Sequence, residues 1–422
     1  MNKMQSRRSF CLFLVWLVSA VAYETSPAAT DREVEASVPT AASRQRFDQF
    51  KVMADHGDAV AQYNLAACYH NGDGVEQDAK EAARWFREAA LQGNATAQYH
   101  LGLSLVNGHG APANVVEGAQ WYRKAADQGL AQAQFDLGIC YRDGVGVGMD
   151  LKQAVAWFHK AAVHGSAEAQ QGLGMAYSQG AGVPQDQAEA FRWFFKAAEQ
   201  GDPYAQHDVG LCYRNGEGVV QDSAEAVKWF SKSAEQGLPA AEHDLGVCFA
   251  TDNGVTKDEE KAIKWFRRAA NHGDADSQLR LGVKLELRKE WAEAAAWYLK
   301  AASQGVASAQ VGVAGCYARG LGVAKDLPES YKWLAVAAAA GHPDSANVLK
   351  VVAGMMTPDQ IAEGQRRAQL FLHPPAAVGS KKTEHAGADQ PATKPAGKVI
   401  PKAATSTPPS KAAPRYPVAG PG

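Results

Sequence analysis

Tryptophan recurs along this chain at a fixed interval, and that interval dictates a repeating architecture. Trp85, Trp121, Trp157, Trp193, Trp229 and Trp265 lie 36 residues apart, Trp297 follows after 32, and Trp333 after another 36. Glycine keeps the same frame at Gly57, Gly93, Gly129, Gly165, Gly201, Gly237, Gly273, Gly305 and Gly341. A period in the range of about 20–50 residues marks stacked units, none of which can bury its own apolar face alone. Eight such units occupy 57–340.

One unit, residues 129–164, reads GLAQAQFDLGICYRDGVGVGMDLKQAVAWFHKAAVH. Ala131, Gln134, Leu137, Gly138 and Tyr141 recur at three and four, the stripe of a first helix. Asp143-Gly144-Val145-Gly146 ends it, since glycine takes the left-handed conformation of a helix C-terminus. Asp150 opens a second helix, with Gln153 placed to reach back in a capping box. The same spacing recurs at Asp78/Glu81, Asn114/Glu117, Asp186/Glu189, Asp222/Glu225 and Asp326/Glu329. Ala154, Trp157, Phe158 and Ala161 form the buried face of the second helix. The eight tryptophans are therefore expected to fill the space between units. The fold expected is all-α, a right-handed α/α solenoid with a concave face.

The segment 205–237, AQHDVGLCYRNGEGVVQDSAEAVKWFSKSAEQG, resembles the Sel1-like repeat almost unbroken, with Val209 for leucine and Ser233 for alanine. These repeats are relatives of tetratricopeptide repeats, and the resemblance covers 57–340. The seventh unit departs from it. LGVKLELRKEWAEAAAWY, 281–298, lacks the glycine turn and the acidic cap, so its inter-helix loop must be tight and a local change in superhelical pitch is expected there.

The flanks differ in kind. Lys3, Arg7 and Arg8 precede a 13-residue apolar run from Phe10 to Ala22, interrupted by Ser19 and closed by Ala20-Val21-Ala22. An export signal over 1–22 is expected, its 13-residue apolar run too short for a hydrocarbon core that needs about 20 residues. The arginine pair is compatible with twin-arginine export, and the apolar run suits the general secretory route better. A linker over 23–43 and a capping helix over 44–56 lead into the array. Residues 341–371 read as two closing helices, Asp344 to Val352 and Asp359 to Leu370. Beyond them, 372–422 is rich in proline, alanine and lysine. From His373 onward it holds ten prolines, a net charge of +5 and no leucine, phenylalanine or tryptophan, so a disordered tail is expected.

Chemistry is sparse. A net charge of −2 excludes a globally basic nucleic-acid binder. Cys68, Cys140, Cys212, Cys248 and Cys316 share one repeat column. Equivalent positions in adjacent units lie about 10 Å apart, beyond the roughly 7 Å limit for a disulfide. They read as buried free thiols. The acids after Asn71-Gly72-Asp73-Gly74 and Asn215-Gly216-Glu217-Gly218 read as helix caps rather than calcium ligands, and no metal or cofactor is expected. No serine is followed three residues later by lysine, and neither His-Glu-x-x-His nor Gly-x-Ser-x-Gly occurs. His207-Asp208 and His243-Asp244 are sequence neighbours that point in different directions on a helix.

Recognition is the remaining function. By analogy with tetratricopeptide arrays, the residue after the recurring Gln or Glu lines the groove: Tyr63, Tyr99, Phe135, Gln171, His207, His243, Leu279 and Val311. Tyr63, Tyr99, Phe135, His207 and His243 are the candidate partner-binding residues, with packing against the core as the alternative role. Gln62, Gln98, Gln134, Gln170, Gln206, Gln278 and Gln310 are expected to hydrogen-bond between units. The expected function is a non-enzymatic scaffold of the bacterial envelope, exported to the periplasm or secreted and not membrane-spanning in mature form. Its partner is a protein or peptide, or peptidoglycan or another envelope polymer, and not nucleic acid. Two alternatives stay open: a β-lactam- or peptidoglycan-directed enzyme, and an endoplasmic-reticulum adaptor.

Overall fold

The computed structural model describes residues 40–373. The export signal over 1–22 and the tail from 374 onward lie outside them. Among the described residues there are nineteen α-helices and no strand, and no helix is long and apolar enough to cross a membrane.

Helix α1, Ala41–Asp55, opens the array and begins inside the segment read as linker. Four pairs follow: α2 Ala59–Asn71 with α3 Ala79–Leu91, α4 Ala95–Asn107 with α5 Val115–Asp127, α6 Ala131–Asp143 with α7 Leu151–Val163, and α8 Ala167–Gln179 with α9 Gln187–Glu199. The next four are α10 Pro203–Asn215 with α11 Ser223–Glu235, α12 Pro239–Thr251 with α13 Glu259–Asn271, α14 Ala275–Leu287 with α15 Trp291–Ser303, and α16 Ala307–Arg319 with α17 Leu327–Ala339. Helices α18, Ser345–Ala353, and α19, Pro358–Leu372, close the stack. Each repeat helix is 13 residues long, a length at which an isolated helix is marginal in water, so packing rather than propensity holds it. Successive helices pack in series, which makes the fold an α-solenoid.

The caps differ from the sequence reading in one respect. Asp78, Asp150, Asp186 and Asp222 each accept from two first-turn amides, as expected of N-caps. At these repeat caps the return bond of a capping box is absent. The N-cap amide instead donates to the preceding helix, Asp78 to the Tyr69 carbonyl at 2.9 Å and Asp150 to that of Tyr141 at 2.8 Å. The donor a glutamate would satisfy is already used to tie the two helices of a unit. Glu117 is thereby free to take the Arg87 guanidinium of the preceding unit at 2.8 Å and the Trp121 indole N–H at 3.2 Å.

Two glycine columns set the packing distances. At Gly138 a Cβ would lie 2.6 Å from the Phe158 ring, so the first helix settles directly on the aromatic of the second. The second glycine of each inter-helix turn rests on the preceding unit: a Cβ on Gly110, at φ +72°, would lie 1.8 Å from the Ala79 carbonyl oxygen. The seventh unit lacks this turn. Its helices are joined by Arg288, Lys289 and Glu290 alone, and Lys289 takes φ +62°.

Six of the eight repeat tryptophans are buried, whereas Trp193 and Trp265 are only half-buried. The cover comes from the preceding unit, where Phe195 meets Trp229 edge-on at 5.5 Å. Trp193 has the smaller His159 ring there at 5.8 Å, and Ser231, too short to cover an indole, stands in that column before Trp265. A cation also lies over most ring faces, three residues on: Lys124 over Trp121 at 3.6 Å, Lys160 over Trp157 at 3.6 Å, Lys232 over Trp229 at 3.7 Å. Such contacts add about 0.5–1 kcal/mol at exposed sites.

The glutamine column joins neighbouring units. Gln98 donates to the Ala90 carbonyl of the unit before it at 3.1 Å and accepts from Gln128 at 2.7 Å, and the pattern repeats at Gln62, Gln170, Gln206 and Gln278. Unit six substitutes Glu242, whose carboxylate is wholly buried. Arg268 Nε lies 2.8 Å from it and His272 Nδ1 lies 3.0 Å from it, while Arg268 Nη2 donates to the Ala234 carbonyl that the glutamine would have served. The five cysteines are buried and unbridged, and burial pushes the Cys140 and Cys212 thiols up to about 12.

Candidate functional site

The first helices of the units place the predicted column in register, one residue per unit, and every member is half-buried. Each ring packs on the aromatic of its own unit's second helix: Tyr63 on Phe86 at 5.9 Å, Tyr99 on Tyr122 and Phe135 on Phe158 at 5.7 Å, His207 on Phe230 at 5.5 Å, His243 on Phe266 at 5.9 Å. The column is thus partly packing and partly surface. Its polar members also bond forward to the next unit. Gln171 Nε2 donates to Asp208 at 2.9 Å, and His207 Nε2 lies 2.8 Å from Asp244, which also holds Arg214 at 2.7 Å.

Company decides the charge of these carboxyls. Burial pushes Asp136 and Asp208 up to about 6: the bonds from Tyr99 and Gln132 at the first, and neighbouring His207 with the Gln171 amide at the second, offset it only in part. Burial acts on Asp244 in the same sense, yet the bond from His207 and the Arg214 guanidinium outweigh it and hold Asp244 at about 2.

One turn further along the same helix face runs a row that sequence reasoning passed over: Leu103, Ile139, Met175, Leu211, Val247 and Val283. The first five are half-buried and Val283 is exposed. The signal was present four residues after each column position, where six successive units carry an aliphatic or thioether side chain. The column and this row together make one continuous strip along the first helices, with apolar area still open to water.

The three residue types of a hydrolytic triad do meet at one point. Ser277 Oγ lies 2.8 Å from His243 Nδ1 and Asp274 Oδ2 lies 3.1 Å from it. Both partners converge on the same ring nitrogen, whereas base catalysis needs the serine and the carboxylate on opposite ones. Ser277 is also fully buried, and its amide is capped by Asp274 at 2.7 Å. The cluster is a helix cap reinforced from the preceding unit. Among the described residues no three His, Cys, Asp or Glu side chains converge as a metal site would require.

On the second helices, unit four stands apart. Phe191 and Phe195 flank Trp193 on α9, beside a shallow hollow of about 530 Å³ also lined by Glu189, Arg192, Lys196 and Glu199. Sequence reasoning counted Trp193 as core and did not single out its neighbours.

The Sel1 repeat family profile matches residues 59–94, 95–130, 131–166, 167–202, 203–238, 239–274, 292–306 and 307–342. The seventh match spans only the second helix, where the turn is missing. The chain is similar to the crystal structure of a Sel1 repeat protein from Oxalobacter formigenes, at 36% identity over 72% of this chain and 89% of that one, with a TM-score of 0.58. It is also similar to c5321, a protective antigen of uropathogenic Escherichia coli strains with an SLR fold, at 27% identity over 82% of this chain and 92% of that one, TM-score 0.49. No curated protein sequence gives a significant match. With eight matches that together span more than half of its length, this chain belongs to the Sel1 repeat family.

Proposed function

We propose that the chain is a non-enzymatic scaffold, exported to the bacterial cell envelope, that captures a protein partner along its first-helix strip. Sel1 repeat proteins generally mediate protein–protein interaction, and this solenoid shares their architecture. The observation that carries the reading is the register of two rows on one face. Rings and polar groups at Tyr63, Tyr99, Phe135, His207 and His243 run beside the half-open apolar row from Leu103 to Val283. Rigid aromatic and aliphatic side chains held by packing lose little entropy on binding, which is what a hot spot requires. The pattern of residues 1–22 supports export.

The test is affinity capture from the native envelope fraction with the full chain and with Ile139→Glu/Leu211→Glu. Both side chains are half-open, so the variant is expected to keep the wild-type helical signal and unfolding midpoint while losing the captured partner. Equal capture by a folded variant would refute the strip as the binding face. Turnover of a chromogenic β-lactam by the wild-type chain would refute the non-enzymatic reading.

A further inference from the structure

The junction between units six and seven is built differently from the others. At seven junctions a turn glycine rests on the backbone of the preceding helix, and a Cβ there would lie between 1.8 and 2.4 Å from a carbonyl oxygen: Ser43, Ala79, Val115, Leu151, Gln187, Ser223 and Trp291 supply those oxygens in turn. Backbone resting on backbone is a contact that dissolved ions do not weaken. At the sixth-to-seventh junction the turn is gone and no glycine reaches Glu259, the equivalent first residue of α13.

Charged side chains occupy that place. Lys284 Nζ lies 2.7 Å from Glu259 and Arg288 Nη2 lies 2.6 Å from Glu260, both reaching from α14 and its end back to α13. The Arg267 guanidinium of α13 reaches forward to Glu293 of α15, which also accepts from the Trp297 indole at 3.1 Å. Three ion pairs therefore cross one junction, and Glu260 is 79% exposed. Other junctions also carry ion pairs, Arg87 with Glu117 and Arg214 with Asp244, but there the glycine contact is present as well. The backbone of the short connection is itself strained, with Lys289 at φ +62° in a region that non-glycine side chains rarely adopt.

We propose that this junction is a joint sensitive to ionic strength, about which units seven and eight with their closing helices move relative to units one to six. The pairs that stand in for the missing glycine contact are screened by salt, while the glycine contacts at the other seven junctions are not; the buried side chains of Ile263, Phe266, Leu281 and Leu285 and the Gln278 bond to the Ala270 carbonyl cross this junction and keep the units in contact as it loosens. The joint depends on no bound partner and stands whether or not the first-helix strip is the capture face.

Hydrogen exchange on the full chain tests it. Raising NaCl from about 0.1 M to about 1 M shortens the screening length from roughly 10 Å to roughly 3 Å. Amides of α13, α14 and α15 are expected to exchange about fivefold faster at the higher salt, the factor that an exposed ion pair can supply, while those of α7 to α9 keep their rates. Glu259→Gln/Glu260→Gln is expected to exchange fast at both salts. A Lys289→Gly chain, with the φ strain relieved and the charges of α13 and α14 kept, should retain the salt response. Equal acceleration along the whole array, no acceleration at α13 to α15, or a response that survives in the double glutamine variant would each overturn the joint.

Discussion

Removing Arg268 is the most informative single perturbation of the core. Seven units place glutamine where unit six places Glu242, and the wholly buried carboxylate of Glu242 survives because Arg268 and His272 approach within 2.8 and 3.0 Å. Arg268→Ala leaves a buried charge with one partner and strips the Ala234 carbonyl of its donor. Breaking a buried pair costs about 3–5 kcal/mol. We expect the lower end, about 3, because His272 stays in contact and Arg268 lies partly in water. Glu242→Gln should cost under about 1 kcal/mol, since an amide there can serve Ala234 as its counterparts do elsewhere. Combined, the two changes should cost far less than Arg268→Ala alone, and that shortfall is the coupling energy of the pair. Urea unfolding of the four proteins, read by exchange of α12 and α13 amides, closes the cycle. A loss under about 1 kcal/mol for Arg268→Ala, or a double variant as unstable as that single one, would refute an ion pair that substitutes for the glutamine ladder.

Two further expectations follow from burial. Trp333→Ala, at an indole 2% exposed, should lose about 3–5 kcal/mol through its cavity. Trp193→Ala at the half-covered ring should lose about 1–2 kcal/mol, and equal losses in urea midpoints would contradict the uneven cover. Asp136 and Asp208, pushed up to about 6 from 3.8, bind protons more readily folded than unfolded. Stability should therefore rise as pH falls from about 6 toward about 4. Asp244, held at about 2, has the opposite sign: its contribution is present above 3.8 and fades as pH drops toward 2. Unfolding midpoints across this range should peak between pH about 4 and 5, and Asp136→Asn/Asp208→Asn should flatten the rise.

Local chemistry was legible in the residues themselves. Asp150 before an apolar stripe and Gly144 after another place helix ends without reference to anything distant, and the observed bounds follow them closely. The spacing of the tryptophans announced the stacking for the same reason, since a periodic apolar ring has nowhere to go but the neighbouring unit. The seventh unit's missing glycines likewise foretold a tight connection. The capping boxes failed on the return bond, because the N-cap amide had a partner in the preceding helix that no three-residue window reveals.

What the amino-acid order determined by itself is the unit: two helices, their caps, their apolar faces and the number of copies. Only the stacked structure decided which groups meet across units. It set Arg268 beside Glu242, left Trp193 half-open behind His159, and gave Asp208 a neutral amide where Asp244 received the His207 ring and the Arg214 guanidinium. Those pairings join residues 26 to 37 positions apart. Charge state and exposure depend on the neighbours brought there by packing, so they are properties of the junctions and not of any one repeat.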